Sequence, residues 1–190
     1  MLRRFIMGLA FALPLLAFSQ NAPKSEFPRM DKSPLDVSYY PADYPMLKNR
    51  NPDIAPLSAR LLYSRPEANN RPIFGELIPY GKVWRVGANE NTEVEFYKPV
   101  TINNKKVKEG KYSIFALVEK DYWEIIINSD LHSWGAFSYK PEHDVVRVKV
   151  PVQAIDQHIE NLCAYFKEEN GQVTLNFAWE KTKVSLPIKF

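Results

Sequence analysis

The chain has 190 residues, 25 Lys and Arg against 22 Asp and Glu, and a formal net charge of +3. Two of the basic residues, Arg3 and Arg4, sit in an apolar leader; the remainder is close to neutral and has no electrostatic footprint for nucleic acid. A single cysteine, Cys163, excludes an internal disulfide, and the roughly 150 residues after the leader suffice for one sizeable core but not for two.

Residues 1–19 read MLRRFIMGLAFALPLLAFS. Arg3 and Arg4 precede fourteen uncharged residues, 5–18, and Ala17 and Ser19 place small side chains just before Gln20. This pattern predicts a cleaved secretory signal and an exported protein, periplasmic or extracellular. A membrane-spanning helix needs about 20 apolar residues. This run is shorter and contains Gly8 and Pro14, so no span is expected after cleavage. Residues 20–32 read as a flexible leader, and residues 33–190 as one domain.

Ten of the fifteen prolines fall between residues 20 and 80, which makes much of that stretch irregular. LDVSYY (35–40) alternates and predicts a first strand; residues 41–56 read as a long loop, of a length that often carries function. From there the runs are short, β-branched and aromatic: 59–64, 93–97, 99–102, 111–118, 123–128, 144–152, 159–167, 173–180 and 184–189. A short helix or turn is expected near 73–77 or 154–158. Turn signals recur every eight to twelve residues, the mark of an all-β, antiparallel β-sandwich of about eight strands, immunoglobulin-like or jelly-roll in type. Asn170-Gly171 between two such runs predicts a two-residue hairpin turn, because both positions need positive φ.

The window 71–92, RPIFGELIPYGKVWRVGANENT, concentrates chemistry: three of the seven glycines, two arginines, a tryptophan and an Asn-Glu-Asn run. The Arg85 guanidinium suits a carboxylate or phosphate. Two readings stay open: a polar pocket at a strand end, or an Arg85–Glu90 clamp that pins a loop to the sandwich. A second window, WGAFSY (134–139), offers aromatics able to stack on a sugar ring or to cap the core. Tyr112 after Gly110 reads as structural, its hydroxyl tied to backbone. His132, His143 and His158 lack metal-ligand spacing, and no metal or other cofactor is indicated. Cys163, in an apolar run, reads as a small buried hydrophobe.

The segments IFGELIPYGKVWRVGANENTEVEF, VKEGKYSIFAL, WEIIIN, WGAFSY and DVVRVKV resemble the family catalogued as domain of unknown function 2911, whose members are mostly exported bacterial proteins. WRVGANENT is the most specific part, carried by Trp84, Arg85, Gly87, Ala88, Asn89, Glu90 and Thr92. The resemblance implies a common fold and brings no reaction, substrate or catalytic residue; the Pro-rich stretch 44–56 lies outside its pattern. The leading functional expectation is a non-catalytic domain that binds a small ligand, a glycan or an envelope partner. Its candidate site residues are Arg71, Trp84, Arg85, Asn89, Glu90, Trp134 and Tyr139. The alternatives are a hydrolase with Glu90 or Asp144 as acid or base, and a purely structural interaction module.

Overall fold

The computed structural model describes residues 26–190. The predicted signal, 1–19, and the leader up to residue 25 lie outside them. The chain divides into two units, Met1–Met30 and Asp31–Phe190. Of the first, residues 26–30 are described, and they are irregular and exposed.

The second unit is all-β. Its elements in chain order are β1 (Leu35–Tyr40), α1 (Tyr44–Arg50), β2 (Ala59–Ser64), β3 (Lys82–Trp84), β4 (Thr92–Phe96), β5 (Val100–Ile102), β6 (Lys105–Val107), β7 (Gly110–Val118), β8 (Tyr122–Asn128), β9 (Asp144–Pro151), β10 (Gln153–Glu169) and β11 (Gln172–Ile188). A seven-stranded antiparallel sheet runs β1-β2-β4-β7-β8-β9, with β3 also paired to β7. The long β10–β11 hairpin and the small β5–β6 hairpin complete an antiparallel β-sandwich. No helix among the described residues is long and apolar enough to cross a membrane.

Strand alternation explains the layering. Successive side chains point to opposite faces, so Leu61 and Tyr63 of β2, Val94 and Phe96 of β4, and Trp123, Ile125 and Ile127 of β8 all turn into one core. From the hairpin, Leu175, Phe177 and Trp179 meet them. In β11 the buried positions then switch from odd to even numbers, to Val184, Leu186 and Ile188. The switch occurs at Glu180, whose φ of 54° marks a bulge.

The bulge corrects one expectation: residues 173–180 and 184–189 form one bent strand, not two. Residues 154–158 belong to β10 instead of a helix or turn, while 73–77 is indeed a turn. The stretch 41–56 contains α1, and eleven strands replace the expected eight because β3 and β6 are only three residues long. Asn170 and Gly171 have φ of 51° and 75° and join the pair Glu169 and Gln172, as expected of a hairpin turn. The Tyr112 hydroxyl donates to Lys108 O at 3.0 Å.

Candidate functional site

The WRVGANENT segment breaks a strand. Trp84 pairs with Ala116 and Thr92 pairs with Ile114, so β3 and β4 lie end to end along one side of β7. One residue opposite Phe115 would close that gap; the chain instead loops out through residues 85–91. The neck of the loop is fastened at three points. Thr92 N–H donates to Arg85 O at 3.3 Å, the Thr92 hydroxyl donates to Val86 O at 2.7 Å, and the Trp84 indole donates to Gly87 O at 3.1 Å. Between them Val86 is held fully buried at φ 56°. A β-branched residue there is strained by about 1–3 kcal/mol and persists only where the surroundings enforce it.

A second loop, residues 129–139, is laced to the first. Asn91 N–H donates to Ser133 O at 3.0 Å, and Ser133 N–H returns a bond to the Asn91 side chain at 2.8 Å. The Asn91 amide also donates to the Ser113 hydroxyl at 2.6 Å, which donates in turn to Asp130 O. Gly135 N–H donates to Asn89 O at 2.9 Å, and Glu90 bridges Trp134 through the backbone. Gly135 has φ 69°, and a Cβ there would sit 2.8 Å from the Phe137 ring and 3.3 Å from Arg85 Nη1. The two loops therefore meet at Arg85. Trp134 and Phe137 stand out from this junction, 60% and 88% exposed.

Beneath the first loop opens a cleft of about 290 Å³, whose lining includes Arg71, Leu77, Ile78, Trp84, Arg85 and Trp179. Its floor belongs to an aromatic cluster: Trp84 stacks on Trp179 with centroids 6.0 Å apart, Trp123 meets Trp84 edge-on at 5.7 Å, and Phe74 adjoins all three. One wall is the turn at 73–78, closed by Ile78 N–H to Ile73 O at 2.8 Å and Gly75 N–H to Ile78 O at 2.9 Å. Gly75 is required there, since φ is 94° and a Cβ would lie 2.8 Å from the Tyr80 ring.

The two cleft arginines differ from ordinary surface cations. Arg71 donates through Nε to Ala68 O at 2.9 Å and through Nη2 to Glu67 O at 2.8 Å, so neutral backbone oxygens orient it. Arg85 is half-buried, its side chain makes no hydrogen bond or ion pair among the described residues, and its Nε is shielded from solvent. Burial pushes its pKa down, opposed only by the charge of Glu90. Buried side-chain atoms without a partner are rare and call for an explanation. Among the described residues there are three, Ser64 Oγ, Arg85 Nε and Ser133 Oγ. All belong to or adjoin the 85–91 loop: Ser64 backbone lies against Gly87, and Ser133 is bonded to Asn91.

Of the candidate site residues, the structure gathers Arg71, Trp84 and Arg85 in the cleft, sets Asn89 and Glu90 on the loop that roofs it, and places Trp134 on the adjoining loop. Of the two readings left open, the Arg85–Glu90 clamp does not form: Glu90 is exposed and beyond ion-pair distance, its backbone bridged to Trp134. Tyr139 is elsewhere. Its ring covers Phe115 at 5.1 Å, and Phe115 points away from the core on which Trp84 lies. There the Tyr139 hydroxyl and Arg147 Nε donate to Asp144 Oδ2 at 2.6 and 2.7 Å, while Asn128 donates to Oδ1 at 2.8 Å. Leu77 and Ile78 line the cleft from within the 71–92 window without having been singled out there, and Trp179 lines it without any prior signal, since only the tertiary fold carries β11 to the 73–78 turn.

The remaining groups engage locally. Cys163 is half-buried and burial pushes its thiol up, which disfavours a nucleophilic thiolate. His132 lies 3.4 Å from Glu93, and His158 lies 3.0 Å from Glu160. No three metal-capable side chains cluster among the described residues. A larger hollow of about 470 Å³ near Gly171 and Phe190 has its polar groups partly spoken for, as the Tyr40 hydroxyl donates to Glu168 at 2.9 Å.

No curated protein and no solved structure matches the chain. The family described as "Protein of unknown function (DUF2911)" matches residues 48–188, a span that holds both loops, the 73–78 turn and the β10–β11 hairpin, and the chain belongs to that family.

Proposed function

We propose that this chain is an exported, non-catalytic binding domain whose site is the cleft under the 85–91 loop, with Trp134 and Phe137 on the adjoining rim. The arginine-led apolar leader supports export. The observation that carries the binding reading is Arg85, a half-buried cation with a shielded Nε, no partner in the protein and an aromatic floor beside it. Concave, largely apolar hollows with a few convergent polar groups are where small ligands bind.

The hydrolase alternative has less support. Asp144 is occupied by three donors on the outer face of the sheet, and Glu90 is a solvent-facing side chain. A thermal-shift screen of the secreted protein against neutral sugars, amines, organic acids and phosphate esters tests the reading. A ligand at 100 times its Kd stabilises by about 2.7 kcal/mol, which is about 5–11 °C for a domain of this size. The expected result is a rise with at least one class that disappears in Arg85→Ala. A rise that Arg85→Ala leaves unchanged, or none with any class, overturns it.

A further inference from the structure

We propose that the ligand of the cleft is a small organic anion, a carboxylate or a phosphate monoester, whose oxyanion sits between Arg85 and Arg71 and whose apolar body lies on the wall of Leu77, Ile78 and Trp84. This rests on the cleft being the binding site. An uncompensated cation withdrawn from water is costly unless charge and acceptors are supplied to it. Arg85 receives no acceptor from the protein and, of charge, only the pull of the solvent-facing Glu90, which does not offset its burial. Arg71 is fixed by two carbonyls that orient its guanidinium without neutralising it.

The carboxylates that sense these arginines are otherwise employed. Glu90 faces solvent, and Glu160 accepts from Asn69 N–H at 2.7 Å and meets His158 at 3.0 Å. Neither lies within 4.0 Å of an arginine nitrogen. An oxyanion placed there would gain charge-assisted bonds, in the fork geometry that suits guanidinium. The volume of about 290 Å³ is at the low end for small-molecule sites, about 300–1,000 Å³, and sets the size class below an oligosaccharide chain.

The experiment uses matched pairs: aryl and alkyl carboxylates against their amides, and aryl and alkyl phosphate monoesters against their alcohols. Binding to the full secreted protein is followed by NMR at the Trp84 indole, whose N–H reports directly on Gly87. The acids are expected to move that resonance and to bind at least tenfold tighter than their neutral partners. Arg85→Gln and Arg71→Gln should each lose at least tenfold for the acids, with methyl spectra unchanged. Which series binds tells carboxylate from phosphate. If Arg85→Gln does not fold, Arg71→Gln decides together with added salt, which must weaken the acids and spare the neutral members. Equal affinity for neutral partners, or acid affinity retained in the arginine variants, overturns the anion assignment and leaves the cleft as a binding site. No shift of the Trp84 indole by any compound overturns both.

Discussion

Two arginines of this protein stand on strands of one sheet or at their ends and have opposite surroundings. Arg147, on β9, donates to Asp144 at 2.7 Å and to Glu124 at 2.8 Å, and also to the Tyr139 hydroxyl. Burial works against its charge, yet the bonds to Asp144 and Glu124 outweigh it and hold its pKa above the ordinary value. Arg85, at the end of β3, has burial without bonds, and its pKa is pushed down. The first arginine is part of the architecture that ties the 129–143 segment to the outer face. The second has the desolvation of a structural arginine and none of its partners, which is the condition expected of a group whose partner arrives from solution.

The strongest break in that comparison would come from the tryptophan that holds Arg85 in place. Trp84→Ala removes a core ring and the indole bond to Gly87, and should cost about 3–5 kcal/mol. In thermal melts that is about 6–20 °C; a loss under about 1 kcal/mol would mean the loop is not anchored from the core. Next comes Arg147→Ala. Charge-assisted bonds contribute about 1.5–3 kcal/mol, but the side chain is 36% exposed and solvent screens it, so about 1–2 kcal/mol is expected. A neutral Arg147→Ala in urea unfolding would erase the contrast with Arg85.

Tyr139→Phe should cost about 0.5–1.5 kcal/mol by removing one donor to Asp144. It also sharpens the comparison through pH. Burial, then the bond to Asp144, raises the Tyr139 pKa above its ordinary 10.0. A group with a raised folded pKa contributes stability that is fully present below its unfolded value and is lost as pH climbs past it. The wild type should therefore exceed Tyr139→Phe by a constant margin at neutral pH, and that margin should shrink above pH 10. A margin that grows with alkali would contradict the hydrogen-bonded knot. The smallest effect belongs to Arg85→Ala, within about 0.5 kcal/mol, because no bond is lost and a desolvated charge is relieved. A drop comparable with that of Arg147→Ala would show that Arg85 has a structural partner after all.

What could be read from the chain and what could not divides along the same line. Asn170-Gly171 was legible because the need for positive φ is local to two residues. The strands of the main sheet were legible because alternation shows wherever one face is buried. The extra length of β10 was not: residues 153–158 are largely exposed and polar, and only their pairing across the hairpin makes them strand. Lys181 and Thr182 read as a break because the bulge at Glu180 disturbs the alternation without ending the strand. In the candidate site, the residue types of WRVGANENT announced special chemistry, and Arg71, Trp84 and Arg85 do converge. The choice between pocket and clamp was not legible for Arg85 and Glu90, since it depends on the turn of the loop, which sends one inward and the other out. Tyr139 was misplaced for a related reason: one loop can show its crest to one side of a sheet and cover the other with its stem.

The loop at 85–91 has a consequence for how this protein can change. The sheet needs a single residue between Trp84 and Thr92, and seven are present. The surplus is even, so removing six residues preserves which side chains of β3 and β4 face inward and shifts no pairing with β7. The loop is thus an insertion that the strand register passes straight through. Changing its length by an even number of residues would keep β3 and β4 in register on β7, while Val86 and Asn91, buried within it, tie its sequence to the core and to the 129–139 loop.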